Sequence, residues 1–130
     1  MMKLVIDTNV IISAALSDKG NPAHIINMIS EGKLQLYYNE QILSEYSEVL
    51  SRKKFMFTLD KQILLLNKIV ELGVIYEPVI SVSPMPDEED RIFYDTAKES
   101  GAFLITGNKK HYPDEPFIMT PSDFLARAIF

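Results

Sequence analysis

Lys3-Leu4-Val5-Ile6-Asp7-Thr8-Asn9-Val10 stands almost at the start of the chain, and how these residues are read decides the fold. Lys3–Ile6 is a short strand of the buried type, closed by Asp7. Val10–Leu16 is apolar enough for a buried helix that begins just after that acid. A strand that passes directly into a helix is the unit from which parallel sheets are built. Asp7 then lies at the lip of the sheet, beside a helix N-terminus. Two readings of it weigh evenly on local sequence: a helix N-cap, which Asp serves well, or a site carboxylate at a strand's carboxyl end.

The same alternation continues along the chain. Asn21 reads as an N-cap with Pro22 in the first helical position, opening a helix that ends near Gly32. Leu34–Tyr38 is a second strand, and Asn39 caps a helix over Glu40–Arg52. Asp60–Leu72 is helical with Gly73 as its stop, and Val74–Tyr76 is a short strand. The three prolines from Pro78 to Pro86 make an extended crossover. Asp87–Ser100 is helical and stopped by Gly101. Phe103–Thr106 and Phe117–Met119 are strands, and Pro121–Ile129 is a last helix capped by Thr120. Strands alternating with helices predict an α/β fold with a central parallel sheet covered on both faces. Residues 1–130 read as one domain, without repeat, linker or low-complexity tail.

Composition narrows the function classes. Of 130 residues, 47% are hydrophobic and 24% charged, which excludes a disordered or collagenous chain. With no Cys, disulfides, thiol nucleophiles and thiolate metal sites are all ruled out. No apolar run approaches the ~20 residues of a membrane helix, and Asp7 falls too early for a secretory signal. The expectation is a soluble, cytoplasmic protein with no membrane partner. Thirteen basic against 18 acidic residues give a net charge of −5. That argues against nucleic-acid binding by the whole surface and leaves room for a basic rim around an acidic site.

Acids stand at separate strand–helix junctions. On the helical wheel Glu45 lies just outside the apolar arc of Ile42, Tyr46, Val49 and Leu50. It reads either as a boundary carboxylate or as the acid leaning toward the sheet's mouth. Asp87-Glu88-Glu89-Asp90 opens a helix, where acids suit the dipole and Asp87 with Asp90 has capping-box spacing. Yet the wheel sets Asp90 at the rim of the buried face, beside Phe93 and Ala97, and Asp95 at the other rim. Oxygen donors without thiols suit hard cations such as Mg²⁺ or Mn²⁺. Asn108 also follows a strand, and Lys109, Lys110 and His111 come next, read equally as phosphate contacts or a solvated loop. Tyr112 is read as packing before base stacking, and Leu64, Leu65, Leu66 and Ile69 as core or dimer face.

Taken in order, Val-Ile-Asp7-Thr8-Asn9-Val, Ser-Glu45-Tyr-Ser-Glu-Val-Leu, Asp-Glu-Glu-Asp90-Arg-Ile-Phe-Tyr-Asp-Thr-Ala and Leu-Ile-Thr106-Gly-Asn108-Lys-Lys-His111-Tyr resemble the PIN-domain ribonucleases. The likeness covers nearly the whole chain and is strongest to the VapC-like toxins of toxin–antitoxin pairs. The resemblance implies a three-layer α/β/α fold and a metal-dependent endoribonuclease. Asp7, Glu45 and Asp90 would be ligands of Mg²⁺ or Mn²⁺, with Thr8, Asn9 and Thr106 as supporting polar positions. It further implies an RNA substrate cut to a 5′-phosphate and a 3′-hydroxyl, a homodimer, and an antitoxin protein that blocks the site. Asn108 stands where many members carry a fourth acid; the catalytic set is then Asp7, Glu45, Asp90 and Asn108, with a weaker hold on a second cation. The alternative is a catalytically inactive PIN-fold module that binds RNA or protein. A phosphatase with Asp7 as nucleophile is a third reading, disfavoured by Asn9 where that class wants a second Asp.

Overall fold

Strand β1 (Met2–Ile6) occupies the middle of a five-stranded, wholly parallel sheet ordered β3-β2-β1-β4-β5. The computed structural model describes residues 1–128. β2 is Leu34–Tyr38, β3 Val74–Ile75, β4 Phe103–Ile105 and β5 Ile118–Met119. Leu4 pairs with Leu36 on one side and Phe103 on the other, and Ile6 pairs with Ile105. Leu4, Val5 and Ile6 are all fully buried. Successive strand side chains point to opposite faces, so both faces of β1 meet a helical layer. This is the three-layer α/β/α arrangement the sequence predicts.

The helices are α1 (Thr8–Leu16), α2 (Asn21–Ser30), α3 (Glu40–Leu50), α4 (Leu59–Leu72), α5 (Arg91–Ser100) and α6 (Pro121–Arg127). α5 packs over β1 and β4, α2 and α4 lie on β2, α1 touches α2 and α3, and α6 meets α2 and β5. From β1 the chain runs outward through β2 to β3, then crosses back to β4 on the other flank of β1. In such sheets the crevice opens where strand order reverses, at the carboxyl ends of β1 and β4. No helix among the described residues is long and apolar enough to cross a membrane.

Several local expectations need correction. Gly20, not Asn21, is the N-cap of α2, because the first helical bond runs from the His24 N–H to the Gly20 carbonyl at 3.1 Å. Gly73 does end α4, but in an extended conformation (φ −86°). A Cβ there would lie 2.5 Å from Tyr38 Cδ1, so close approach to β2 is what demands glycine. Gly101, by contrast, is the left-handed stop expected (φ 75°). The helix expected over Asp87–Ser100 is split into a 3₁₀ turn at Glu88–Asp90 and α5. Asp87 caps that turn by accepting the Glu89 N–H at 3.1 Å, while Asp90 makes no capping bond.

Asp95 is not at a rim but buried, accepting the Ser81 N–H and hydroxyl at 2.7 Å each. Arg91 adds bonds to the Ser81 and Ser83 carbonyls, so the crossover is strapped along α5 and covers that acid. On α4, Ile69 belongs to the core while Leu64 faces outward. The last helix is described to Arg127, and its expected end at Ile129 lies outside the described residues.

Candidate functional site

Asp7 is buried at the N-cap position of α1, yet its side chain makes no capping bond. Its Oδ2 instead accepts the Thr106 hydroxyl at 2.8 Å. The backbone sets this up: the Asp7 N–H reaches the Ile105 carbonyl at 2.9 Å, continuing the β1–β4 pairing one residue beyond the strands. Thr106 Oγ1 also accepts the Asn108 N–H at 3.1 Å, which fixes its proton on Asp7. A buried threonine therefore turns the carboxylate away from the helix and into the crevice.

α3 delivers Glu45 by way of its neighbour. Tyr46 is fully buried and its hydroxyl donates to the Ile6 carbonyl, pinning α3 to the end of β1. Glu45, one residue earlier, is half-buried and its Oε2 accepts the Thr8 hydroxyl. Burial raises the Glu45 pKa, the Thr8 bond opposes that, and Asp7 adds to the rise.

Asp90 ends the 3₁₀ turn with its Oδ2 buried and without a hydrogen-bond partner. The imidazole Nδ1 of His111 stands 3.7 Å from that oxygen. Burial first, then the charges of Asp7 and Asp87, push the Asp90 carboxyl up to about 7, with His111 pulling the other way and Glu45 adding a further rise. Asp7, Glu45 and Asp90 thus share one electrostatic environment.

Asn108 sits exposed at the edge of this crevice. Its Oδ1 accepts the Lys110 N–H at 3.2 Å, which leaves the amide nitrogen to donate to His111 Nε2 at 3.1 Å. The other ring nitrogen then carries the proton and faces Asp90. Lys109 and Lys110 are exposed on the 3₁₀ turn Lys109–His111, and Asn9 is exposed on the first turn of α1. Asn39, which also follows a strand, is buried and structural: it caps α3 and donates to the Tyr76 carbonyl and the Thr96 hydroxyl at 3.0 Å each.

Tyr112 packs in the core as its sequence reading expects, but that reading says nothing of its hydroxyl. It is 4% exposed, and its hydroxyl lies among the acids with no hydrogen-bond partner. Burial, then the charges of Asp7 and Asp90, the approach of its hydroxyl to Asp7 short of a well-formed hydrogen bond, and last the charge of Glu45 push its pKa far above the usual phenol range. Its position two residues past the Lys109-Lys110 pair was the available signal.

The donor chemistry fits a hard divalent cation: carboxylate oxygens, threonine hydroxyls behind two of them, no thiol, and an unpartnered buried oxygen on Asp90. Among the described residues, however, no three His, Asp or Glu side chains are gathered into a closed chelate. Closer approach of these acids costs repulsion that a proton or a cation relieves.

The comparisons with known proteins agree with this architecture. The PIN domain model matches residues 3–110, a span that holds Asp7, Glu45, Asp90 and Asn108. The uncharacterized protein MJ1680 of Methanocaldococcus jannaschii is 36% identical over 111 residues, covering 83% of this chain and 72% of that one. The crystal structure of PAE2754 from Pyrobaculum aerophilum superposes with a TM-score of 0.61 at 16% identity, over 97% of this chain and 88% of that one. A domain of a functionally unknown protein from Methanocaldococcus jannaschii gives 0.53 at 21% identity, over 86% and 82% of the two chains. These two solved structures share the fold. With the family model reaching from β1 through β4 and including the crossover and every acid of the crevice, the chain belongs to the PIN domain family, a nuclease-type fold.

Proposed function

We propose that this chain is a Mg²⁺- or Mn²⁺-dependent endoribonuclease. The observation that carries the reading is that the charge of Asp7 at the end of β1 bears on both Glu45 of α3 and Asp90 before α5, three carboxylates from three parts of the chain at the crevice of a nuclease-type fold. Asp7, Glu45 and Asp90 would hold the cation. Thr106 and Thr8 orient two of these acids through their hydroxyls. Lys109 and Lys110, exposed beside Asn108, meet the RNA phosphates and position the strand without reading its sequence. A bound divalent cation would supply charge neutralisation at the phosphate and an activated water, so no protein nucleophile is required.

The same reading extends to the toxin role, with an antitoxin protein covering the crevice and a homodimer as the working form. Outward apolar residues on α4, Leu59 and Leu64 at 68% and 70% exposure, support a face that is covered in the assembly.

The test is incubation of end-labelled single-stranded and structured RNA with Mn²⁺ or Mg²⁺. Wild type is expected to cut internally, and Asp7→Asn to lose about 100-fold or more of that activity while keeping its fold, a larger loss than an outer-shell partner usually causes. One observation favours the second reading, an inactive binding module. The Asn108 amide, where many relatives by resemblance carry an acid, is engaged by Lys110 and His111. RNA binding without cleavage under either cation would establish that reading instead.

A further inference from the structure

Tyr112 carries a group that the fold does not use. Its ring belongs to the main hydrophobic core, and a phenylalanine would fill that place equally. Its hydroxyl leans toward Asp7 without completing a hydrogen bond, and together with Asp90 Oδ2 it is one of the two buried side-chain polar atoms without a well-formed partner among the described residues. Burying an unmet hydroxyl costs stability, so each such atom calls for an explanation. Both atoms lie at the same crevice, which makes one explanation serve for both.

The surroundings limit what the hydroxyl can do. Asp7, Asp90 and Glu45 are the charged groups that face it, Asp7 foremost. Around a bound cation these carboxylates are ionised and only accept, so a phenol among them then acts as a donor, to an acid or to a water the acids hold. Asp7 already receives one hydroxyl, that of Thr106 on Oδ2. We propose that Tyr112 is a positioning residue of the acidic site, donating its hydrogen bond to Asp7 when the carboxylates draw together around a divalent cation. Thr106 and Tyr112 then hold Asp7 from two sides, as outer-shell partners commonly hold a ligand. The inference rests on the reading of Asp7, Glu45 and Asp90 as cation ligands.

The experiment compares wild type, Tyr112→Phe and Asp7→Asn in two measurements: thermal unfolding in EDTA, and Mn²⁺ affinity by electron paramagnetic resonance titration. Circular dichroism checks the fold of each variant. In EDTA, Tyr112→Phe is expected to melt at or above the wild-type temperature, since the unmet hydroxyl is gone and the ring remains. With Mn²⁺, its affinity is expected to fall about 10- to 100-fold, the range for losing an outer-shell partner. Tyr112→Phe binding Mn²⁺ as wild type does would overturn the proposal, whichever way its melting temperature moves. Wild type that binds no Mn²⁺, or Asp7→Asn that binds it unchanged, would instead overturn the cation reading on which the proposal stands.

Discussion

Thr106 shows how one hydroxyl settles the role of an acid. Asp7 sits where an N-cap belongs, and the local sequence is equally content with that use. The buried Thr106 hydroxyl takes the carboxylate instead. Thr106→Val, close in shape, leaves Asp7 Oδ2 without its donor. The expected cost is about 1–3 kcal/mol of stability in denaturant unfolding, with weaker Mn²⁺ binding. Asp90 gives a prediction in pH. Its carboxyl is raised from 3.8 to about 7, so the folded, metal-free protein holds a proton that the unfolded chain releases. Stability from this group is therefore present at low pH and lost as pH rises between those two values. In EDTA the melting temperature is expected to fall across that window, and Asp90→Asn to flatten the fall. Mn²⁺ should restore stability most strongly above about 7, where the carboxylate is free to bind. Asp7 and Asp90 were legible because short motifs place them. Tyr112 was not, because the burial of its hydroxyl depends on how the chain after β4 folds back over the acids.

At the scale of elements, α3 is the part that aims the site. Its Tyr46 hydroxyl bonds the last carbonyl of β1 and thereby sets where Glu45 stands. Tyr46→Phe keeps the ring against Phe93 but leaves the Ile6 carbonyl unmet. It is expected to destabilise by about 1–3 kcal/mol and to weaken Mn²⁺ binding through Glu45, both measurable on the purified variant. The junction of α4 and β3 behaves differently. A Cβ at Gly73 would meet Tyr38 Cδ1 at 2.5 Å and the Ile69 carbonyl at 2.7 Å. Gly73→Ala is expected to cost about 1–3 kcal/mol through overpacking, without touching cation affinity. Hydrophobic period and turn residues located every α-helix of the described chain, but not the mode of its ends. The 3₁₀ turn at Glu88–Asp90 followed from the Asp87 cap, and the burial of Asp95 from the strapped crossover. The first is a local cap and the second a tertiary contact, and helical periodicity encodes neither.

Across the whole molecule, charge and topology act together. The chain carries a net charge of −5, so long-range attraction to RNA is weak and binding must be concentrated where Lys109 and Lys110 are exposed. Lys109→Ala with Lys110→Ala is expected to reduce the slope of log affinity against log salt by about 1.4, the contribution of two phosphates on a single strand. Strand order explains why the site is where it is: alternation of strands and helices gave the parallel sheet, and reversal of direction at β1 opens the crevice between β1 and β4. The order of strands itself is not readable from periodicity, which carries no information on which strands pair. The central claim is that Asp7, Glu45 and Asp90 close around one hard cation. Anomalous diffraction at the manganese edge from crystals grown with Mn²⁺ measures this directly. A peak bounded by oxygens of those three carboxylates is the expected result, and manganese bound elsewhere, or nowhere at saturating Mn²⁺, would contradict it.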